Sequence, residues 1–171
     1  MTINAVEQYV VGILTNFTSP SETEPITVLH VPPTIETLSG AGTYVYVWDS
    51  KTTEKRMTAP RFSLNSTGKT IEHDLIVHLI NVYPNDFTNE LVQQGFAVTL
   101  DSVTDILRGK NANITVTLPI TITDPLTNEQ SYIISIGEDI SIEQDYPQLN
   151  DLGYYLRQAM ITFNTTEQVS G

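Results

Sequence analysis

The sequence predicts an α+β fold, with a mixed, mainly antiparallel sheet of about five or six strands packed by two main helices. Three observations predict it. Apolar residues follow helical spacing over residues 4–17, residues 69–109 have the pattern of a long strand followed by a long helix, and residues 113–123 alternate between aliphatic and polar side chains. At 171 residues, with no repeat or linker, we expect a single domain over residues 1–171 that ends in a polar tail at about 164–171.

The first predicted helix covers about residues 4–17. Asn4 and Glu7 stand three positions apart, which is the spacing of a capping pair, and Ser19-Pro20 ends the helical pattern. A short apolar strand over residues 26–31 follows. The apolar stripe of the helix consists of Ile3, Val6, Tyr9, Val10, Ile13, Leu14 and Phe17.

The next strand, residues 43–48, is rich in aromatic and β-branched residues. Tyr44, Tyr46 and Trp48 share one of its faces and form a possible aromatic contact face. After it, residues 49–69 lose all periodicity and are predicted to be a long exposed loop, whose first part can return as a hairpin through residues 54–57. Loops of this length within a domain are commonly functional.

The centre of the predicted fold is the strand over residues 70–83 and the helix over residues 86–108. The face of the strand that carries His73 is apolar over its middle. Pro84 ends the strand, Asn85 and Asp86 can cap the helix, and Gly109 closes it. The stripe of the helix consists of Val92, Phe96, Leu100, Val103 and Leu107.

A hairpin is predicted at residues 113–136. The aliphatic residues of its first strand are Ile114, Val116, Leu118, Ile120 and Ile122, and Pro119 places that strand at a sheet edge or a bulge. Residues 124–129 turn the chain, and residues 132–136 form the returning strand. A loop over residues 145–153 then leads to the last strand, residues 154–163.

The chain offers little that predicts catalysis. His73 and His78 lie five positions apart on one strand and therefore point to opposite faces, so they cannot share a metal ion. Glu72 and Asp74 lie on the face opposite His73, so the spacing implies no carboxylate–histidine pair. No nucleophile elbow, phosphate-binding glycine loop or calcium loop is present. We expect no catalytic residue, no metal site and no cofactor, and therefore no enzyme.

Charge is distributed unevenly along the chain. The net charge is −12, yet five of the eight basic residues lie within residues 51–69. The overall acidity argues against a dedicated nucleic-acid-binding protein. A basic loop in an acidic molecule is suited to contacting the acidic surface of an identical neighbour, and a head-to-tail contact generates a ring when the rotation closes. These basic residues are Lys51, Lys55, Arg56, Arg61 and Lys69.

Cellular location is only weakly indicated. The chain has no cysteine, which suits a reducing compartment. Its first residues lack a basic segment, and no apolar run approaches about 20 residues, so we expect neither an ordinary export signal nor a membrane-spanning helix.

The order of these parts resembles that of the tail terminator proteins of long-tailed bacteriophages, a family of the head-to-tail interface, or neck. The pieces that carry the resemblance are an N-terminal amphipathic helix, an aromatic strand, a long protruding loop, a central strand bearing histidine among apolar residues, a long helix and a closing strand. They correspond to residues 3–17, 43–48, 49–69, 72–79, 86–108 and 154–163. The resemblance is one of pattern and covers most of the chain.

The resemblance implies a structural virion protein that assembles in the host cytoplasm. It implies a hexameric ring that ends the tail tube, contacts the tail tube protein and joins the head connector or stopper protein, with no membrane partner. DNA would be passing cargo in the lumen. The loop over residues 51–69 would then provide the subunit or tail-tube contact, with Lys55, Arg56 and Arg61 at its centre.

Two alternatives remain open at this point. One is another head-to-tail connector ring, such as a head-completion or stopper protein. The other is a small ligand- or carbohydrate-binding module that uses Tyr44, Tyr46 and Trp48 as a stacking platform, although such a row is more often core or subunit contact.

Overall fold

Two helices and a seven-stranded sheet share one hydrophobic core in the computed structural model of the protein, which confirms the predicted α+β class. The structure describes residues 5–22, 24–34, 36–38, 40–56, 68–84, 90–109, 117–145, 148–149 and 154–169, and only the backbone at 56, 84, 90–93, 148 and 149. Six strands follow the order β1-β2-β3-β7-β5-β4, and β6 pairs separately with β7. Among the described strand pairs, β1–β2 is parallel and the others are antiparallel.

The four central strands are longer than the sequence pattern predicts, with fifteen or sixteen residues each. The bounds of the strands are β1 Thr27–Leu29, β2 Gly42–Arg56, β3 Lys69–Pro84, β4 Ile120–Thr123, β5 Gln130–Gln144, β6 Gln148–Leu149 and β7 Tyr154–Val169.

Helix α1 runs over Ala5–Leu14, and Val6, Val10 and Leu14 of its predicted stripe are fully buried. The helix ends where Asn16 adopts a left-handed φ of 64°, a conformation that asparagine tolerates better than most residues. The predicted capping residue Asn4 lies outside the described residues.

Helix α2 runs over Glu90–Leu107, and Phe96, Leu100, Val103 and Leu107 of its predicted stripe are buried. Gly109 follows with a φ of 68° and donates its amide to the carbonyl of Ile106 at 3.0 Å, so this glycine closes the helix as expected. Asn85 and Asp86, the predicted caps, lie outside the described residues.

The prediction of a loop over residues 49–69 is wrong for residues 49–56. Residues 49–56 belong to β2, whose last pair joins Arg56 to Lys69 of β3. The segment reads as a loop because its residues are polar on both faces, which removes the hydrophobic alternation of a half-buried strand. Residues 57–67, including Arg61, lie outside the described residues.

The predicted polar tail at about 164–171 is also wrong over its described part. Strand β7 continues to Val169 and pairs with β3 on one side and β5 on the other. Thr165 and Glu167 are buried there although they are polar. This last part of β7 makes backbone hydrogen bonds to both neighbouring strands, and these bonds do not depend on apolar side chains.

The predicted hairpin at 113–136 is confirmed over its described part. β4 pairs with β5 from Ile120 opposite Ile133 to Thr123 opposite Gln130, while residues 113–116 lie outside the described residues. β5 continues to Gln144 through an irregularity between Ile136 and Ile140. The segment at 145–153, predicted as a loop, contains the two-residue strand β6.

The core lies between the helices and one face of the sheet, which we call the core face. On β3 this face carries Leu75, Val77 and Leu79, all fully buried, as its alternation predicts. The opposite face, called the outer face, has a smaller apolar cluster at the end of the sheet where β1 lies. That cluster contains Leu38, Tyr44, Ile80 and Val82.

Candidate functional site

The most distinctive polar feature of the described structure is a buried histidine held between two carboxylates. His73 lies on the core face of β3, with Asp49 on the neighbouring strand β2 and Glu167 on the other neighbour, β7. His73 Nδ1 is 2.6 Å from Asp49 Oδ2, and His73 Nε2 is 2.8 Å from Glu167 Oε2. The relative exposures of the three side chains are 4% for His73, 8% for Asp49 and 12% for Glu167.

The protonation of His73 follows from these contacts. Carboxylate oxygens only accept hydrogen bonds, so the ring donates from both nitrogens and carries a positive charge. Burial acts to lower the pKa of His73, but hydrogen bonds to Glu167 and Asp49, with the negative charge of both, raise it above its ordinary value of 6.5. Neither nitrogen has a lone pair left to bind a metal or accept a proton.

Glu167 is held in its ionised form by the same network. Burial acts to raise its pKa, but hydrogen bonds from His73 and Ser131, with the positive charges of His73 and Lys69, bring the pKa below its ordinary value of 4.5. A cavity of about 310 Å³ opens beside the pair. His73, Ser131 and Lys69 in its lining already interact with Glu167.

Sequence spacing did not reveal this network, because each partner comes from a different strand. Asp49 and Glu167 fall in the segments predicted as a loop and a tail, and they meet His73 only when β2 and β7 flank β3. One signal was available: a histidine in the middle of an apolar strand face needs a partner for its ring nitrogens.

His78 points to the outer face, so the prediction that it and His73 face apart is confirmed. Its Nε2 is 2.8 Å from Gln158 Oε1, and burial lowers its pKa. His30 is exposed. Among the residues that the structure describes, no group of three potential ligands is placed to hold a metal ion.

The three aromatic residues of β2 share the outer face but have different surroundings. Tyr44 is buried in the smaller apolar cluster, and its hydroxyl donates to the carbonyl of Gly40 at 2.9 Å. Tyr46 and Trp48 are half-buried and stack with ring centroids 5.4 Å apart. The Trp48 and His78 rings are in a T-shaped arrangement, with their centroids 6.5 Å apart.

Tyr46 and Trp48 border a groove of about 520 Å³. The groove lies beyond the end of β1, and Pro32 and Pro33 contribute to its wall. Glu7 of α1 also lines it and accepts a hydrogen bond from the Asp49 amide at 3.2 Å. Burial is the main reason that the pKa of Glu7 is raised, and the charge of Asp49 adds to it.

Of the basic residues predicted as contacts, Lys51 and Lys55 lie on the last part of β2, and Lys69 lies at the start of β3 opposite the end of β2. Lys55 pairs with Glu72 at 2.7 Å and Lys69 pairs with Glu54 at 3.2 Å, both on the protein surface. Lys51 is exposed opposite Asp74 of β3. Arg56 is placed only by its backbone, and Arg61 lies outside the described residues. The basic segment is therefore partly neutralised by acids of its own hairpin.

No protein-family model matches the chain, and no curated protein matches it. None of the described helices is long and apolar enough to cross a membrane.

Proposed function

We propose that this protein is a structural component of a bacteriophage neck, of the tail terminator type, which forms a ring that ends the tail tube and joins it to the head connector. The observation that carries the proposal is the order of the folded elements. An amphipathic helix, an aromatic strand, a histidine-bearing central strand, a long helix and a closing strand come in the order on which the resemblance rests. The protruding loop of the resemblance is not matched over residues 49–56, which belong to β2.

The geometry of the His73 network supports a structural role over a catalytic one. Both ring nitrogens are engaged by carboxylates, so the ring acts as a cationic bridge between β2 and β7. The network lies where β2, β3 and β7 run side by side, and it holds that end of the sheet together. This end of the sheet can present Lys51 and Lys55 to a neighbour or to the tail tube.

The first test is the size and shape of the purified protein. We expect sedimentation velocity at micromolar concentration to show one species several times the monomer mass of 19.0 kDa, and negative-stain micrographs to show rings. A protein that remains monomeric, alone and with tail-tube protein, contradicts the proposal. Incubation with tail-tube protein or with head-connector protein separates a tail terminator from a stopper or head-completion ring, because the latter binds the head side first.

A second candidate, a small ligand- or carbohydrate-binding module, is favoured by the groove beside Tyr46 and Trp48. A half-buried stacked aromatic pair that borders a groove of this volume is suited to the face of a sugar ring. The chain has one tryptophan, so its fluorescence reports on this groove alone. A spectral shift on addition of glycans supports this candidate, whereas a shift that accompanies oligomerisation supports the ring.

A further inference from the structure

The side of β2 that faces away from β3 is open over the last part of the strand. β1 covers only residues 44–46, and no other described strand pairs with that side of β2. The register of β2 shifts at a bulge between Asp49 and Lys51. There the Glu7 carboxylate accepts a hydrogen bond from the Asp49 amide and the Asp49 carboxylate accepts one from the Lys51 amide, so side chains satisfy the backbone. Beyond that point, no described strand lies beside residues 52–56 on the side of β2 that faces away from β3. Open edges of this kind readily pair with another strand.

Strand β5 has a second open edge, at the opposite end of the sheet. β4 covers only residues 130–133. From Ile140 to Gln144, β5 pairs with β7 on one side, and no described strand lies on the other. Residues 141–145 are all exposed, and Ile142 is 39% exposed although it lies on the core face. Ile142 is therefore accessible to a neighbouring strand.

The two open edges carry opposite charge on the outer face, although Lys55 also pairs with Glu72 of β3 and the acidic Glu54 lies on the core face of β2. Lys51 and Lys55 are exposed on β2. Glu143 and Asp145 are exposed at the end of β5, and residues 130–145 contain no lysine or arginine. The partner best suited to each edge is therefore the other edge, which a second copy of this chain supplies.

Strand direction and side-chain alternation agree with that pairing. Three antiparallel steps separate β2 from β5, so the two strands run in opposite directions and a β5 from a neighbour would lie antiparallel to β2. The pairings place Lys51 and Lys55 on the outer face of β2, and they place Glu143 on the outer face of β5, with Asp145 following by alternation. The opposite charges thus meet on one face of the joined sheet.

We propose that the β2 edge of one copy, residues 52–56, pairs with the β5 edge of a second copy, residues 140–144, in an antiparallel, head-to-tail contact. This inference rests on the proposed ring and names the surfaces that build it. Each copy uses two different edges, so the contact propagates from copy to copy.

The offset between the edges is compatible with closure into a ring. Through the strand pairings, Glu54 is level with Glu167 of β7, and Ile142 is level with Ile161 of β7. Glu167 and Ile161 are six residues apart on β7. Six residues correspond to about 20 Å along the strand, and four strands span about 19 Å across the sheet. Successive copies would then have strands tilted by about 45° to the ring axis, at the steep end of the range of about 35–45° found in closed barrels.

The test uses two charge-reversed variants of the full chain. Variant A is Lys51→Glu/Lys55→Glu, which makes both of its edges acidic. Variant B is Glu143→Lys/Asp145→Lys, which makes both basic. We expect each variant alone to self-associate at least tenfold more weakly than the wild type in sedimentation velocity, and an equimolar mixture to reassemble, because A and B alternate with complementary edges. The matched control is Asp101→Lys/Asp105→Lys, which changes two exposed acids of α2 and the net charge by the same amount as B and should assemble normally.

The outcomes separate this inference from the proposed function. If the wild type forms rings and A and B do so equally well, or if the mixture fails to reassemble, the edge pairing is wrong and the ring proposal stands. If the wild type is monomeric throughout, both fail. Circular dichroism checks that A and B are folded. If A does not fold, the neutral variant Lys51→Gln/Lys55→Gln replaces it. We expect this variant to self-associate more weakly than the wild type and mixing with B to restore part of the association. Self-association equal to that of the wild type would contradict the inference.

Discussion

His73 is predicted to be the most sensitive polar position in the sheet. The variant His73→Gln removes the cation that stands between Asp49 and Glu167 and leaves two largely buried carboxylates without it. Removing one partner of a buried ion pair typically costs about 3–5 kcal/mol, because the remaining charge loses its counter-ion in a site with little solvent. We therefore expect a loss of about 3 kcal/mol or more from the free energy of unfolding at pH 5.5.

The pH dependence of this contribution has a defined sign. The pKa of His73 is raised in the folded protein, so its contribution is complete below pH 6.5 and is lost as the pH rises through the folded pKa. The pKa of Glu167 is lowered, so its contribution is present above pH 4.5 and is lost as the pH falls through the folded value. The pair stabilises most between pH 4.5 and 6.5. His78 acts oppositely, because its lowered pKa costs stability as the pH falls through 6.5.

A double-mutant cycle separates these effects, since His78 is common to all four proteins. Urea unfolding of the wild type, His73→Gln, Glu167→Gln and the double variant at pH 5.5 should give a coupling energy of about 2 kcal/mol. The coupling should decrease as the pH rises through the raised pKa of His73, because the ring then loses its charge. A coupling below about 0.5 kcal/mol at pH 5.5, or one that grows towards pH 9, would refute the assignment of His73 as a cation bound by Glu167.

Three further predictions concern stability, each measured by urea unfolding. Gly137→Ala should lower the free energy of unfolding by about 2 kcal/mol or more, because Gly137 has a φ of 65° and a Cβ would lie 2.6 Å from the Leu107 carbonyl oxygen. The control Gly12→Ala in α1, with open space around it, should raise the free energy of unfolding by about 0.5–1 kcal/mol. Equal effects would contradict this reasoning. Thr165→Val should stabilise by about 1 kcal/mol, since the buried Thr165 hydroxyl has no hydrogen-bond partner in the described part of the chain, and a loss of stability would indicate one. Tyr44→Phe should cost about 0.5–1.5 kcal/mol through the bond to the Gly40 carbonyl, and a neutral result would make that bond dispensable.

Sequence reasoning predicted best where one face of an element is apolar. The stripes of α1 and α2, the core face of β3 and the opposite directions of His73 and His78 all follow from periodicities of 3.6 and 2, which are properties of the local backbone. It was least accurate where strands are polar on both faces. Residues 49–56 and 164–169 are such segments, and neighbouring strands order them through backbone hydrogen bonds and polar side-chain pairs.

By itself, the sequence determined the α+β class, the two helices with their buried faces, and the clustering of basic residues in an acidic chain. Only the tertiary structure decided which polar residues meet. Asp49 and Glu167 are separated by more than a hundred positions in the chain, yet both reach His73 because β2 and β7 flank β3. The same strand order leaves open edges of opposite charge on β2 and β5. Strand order depends on pairings between distant segments, and no local periodicity records it.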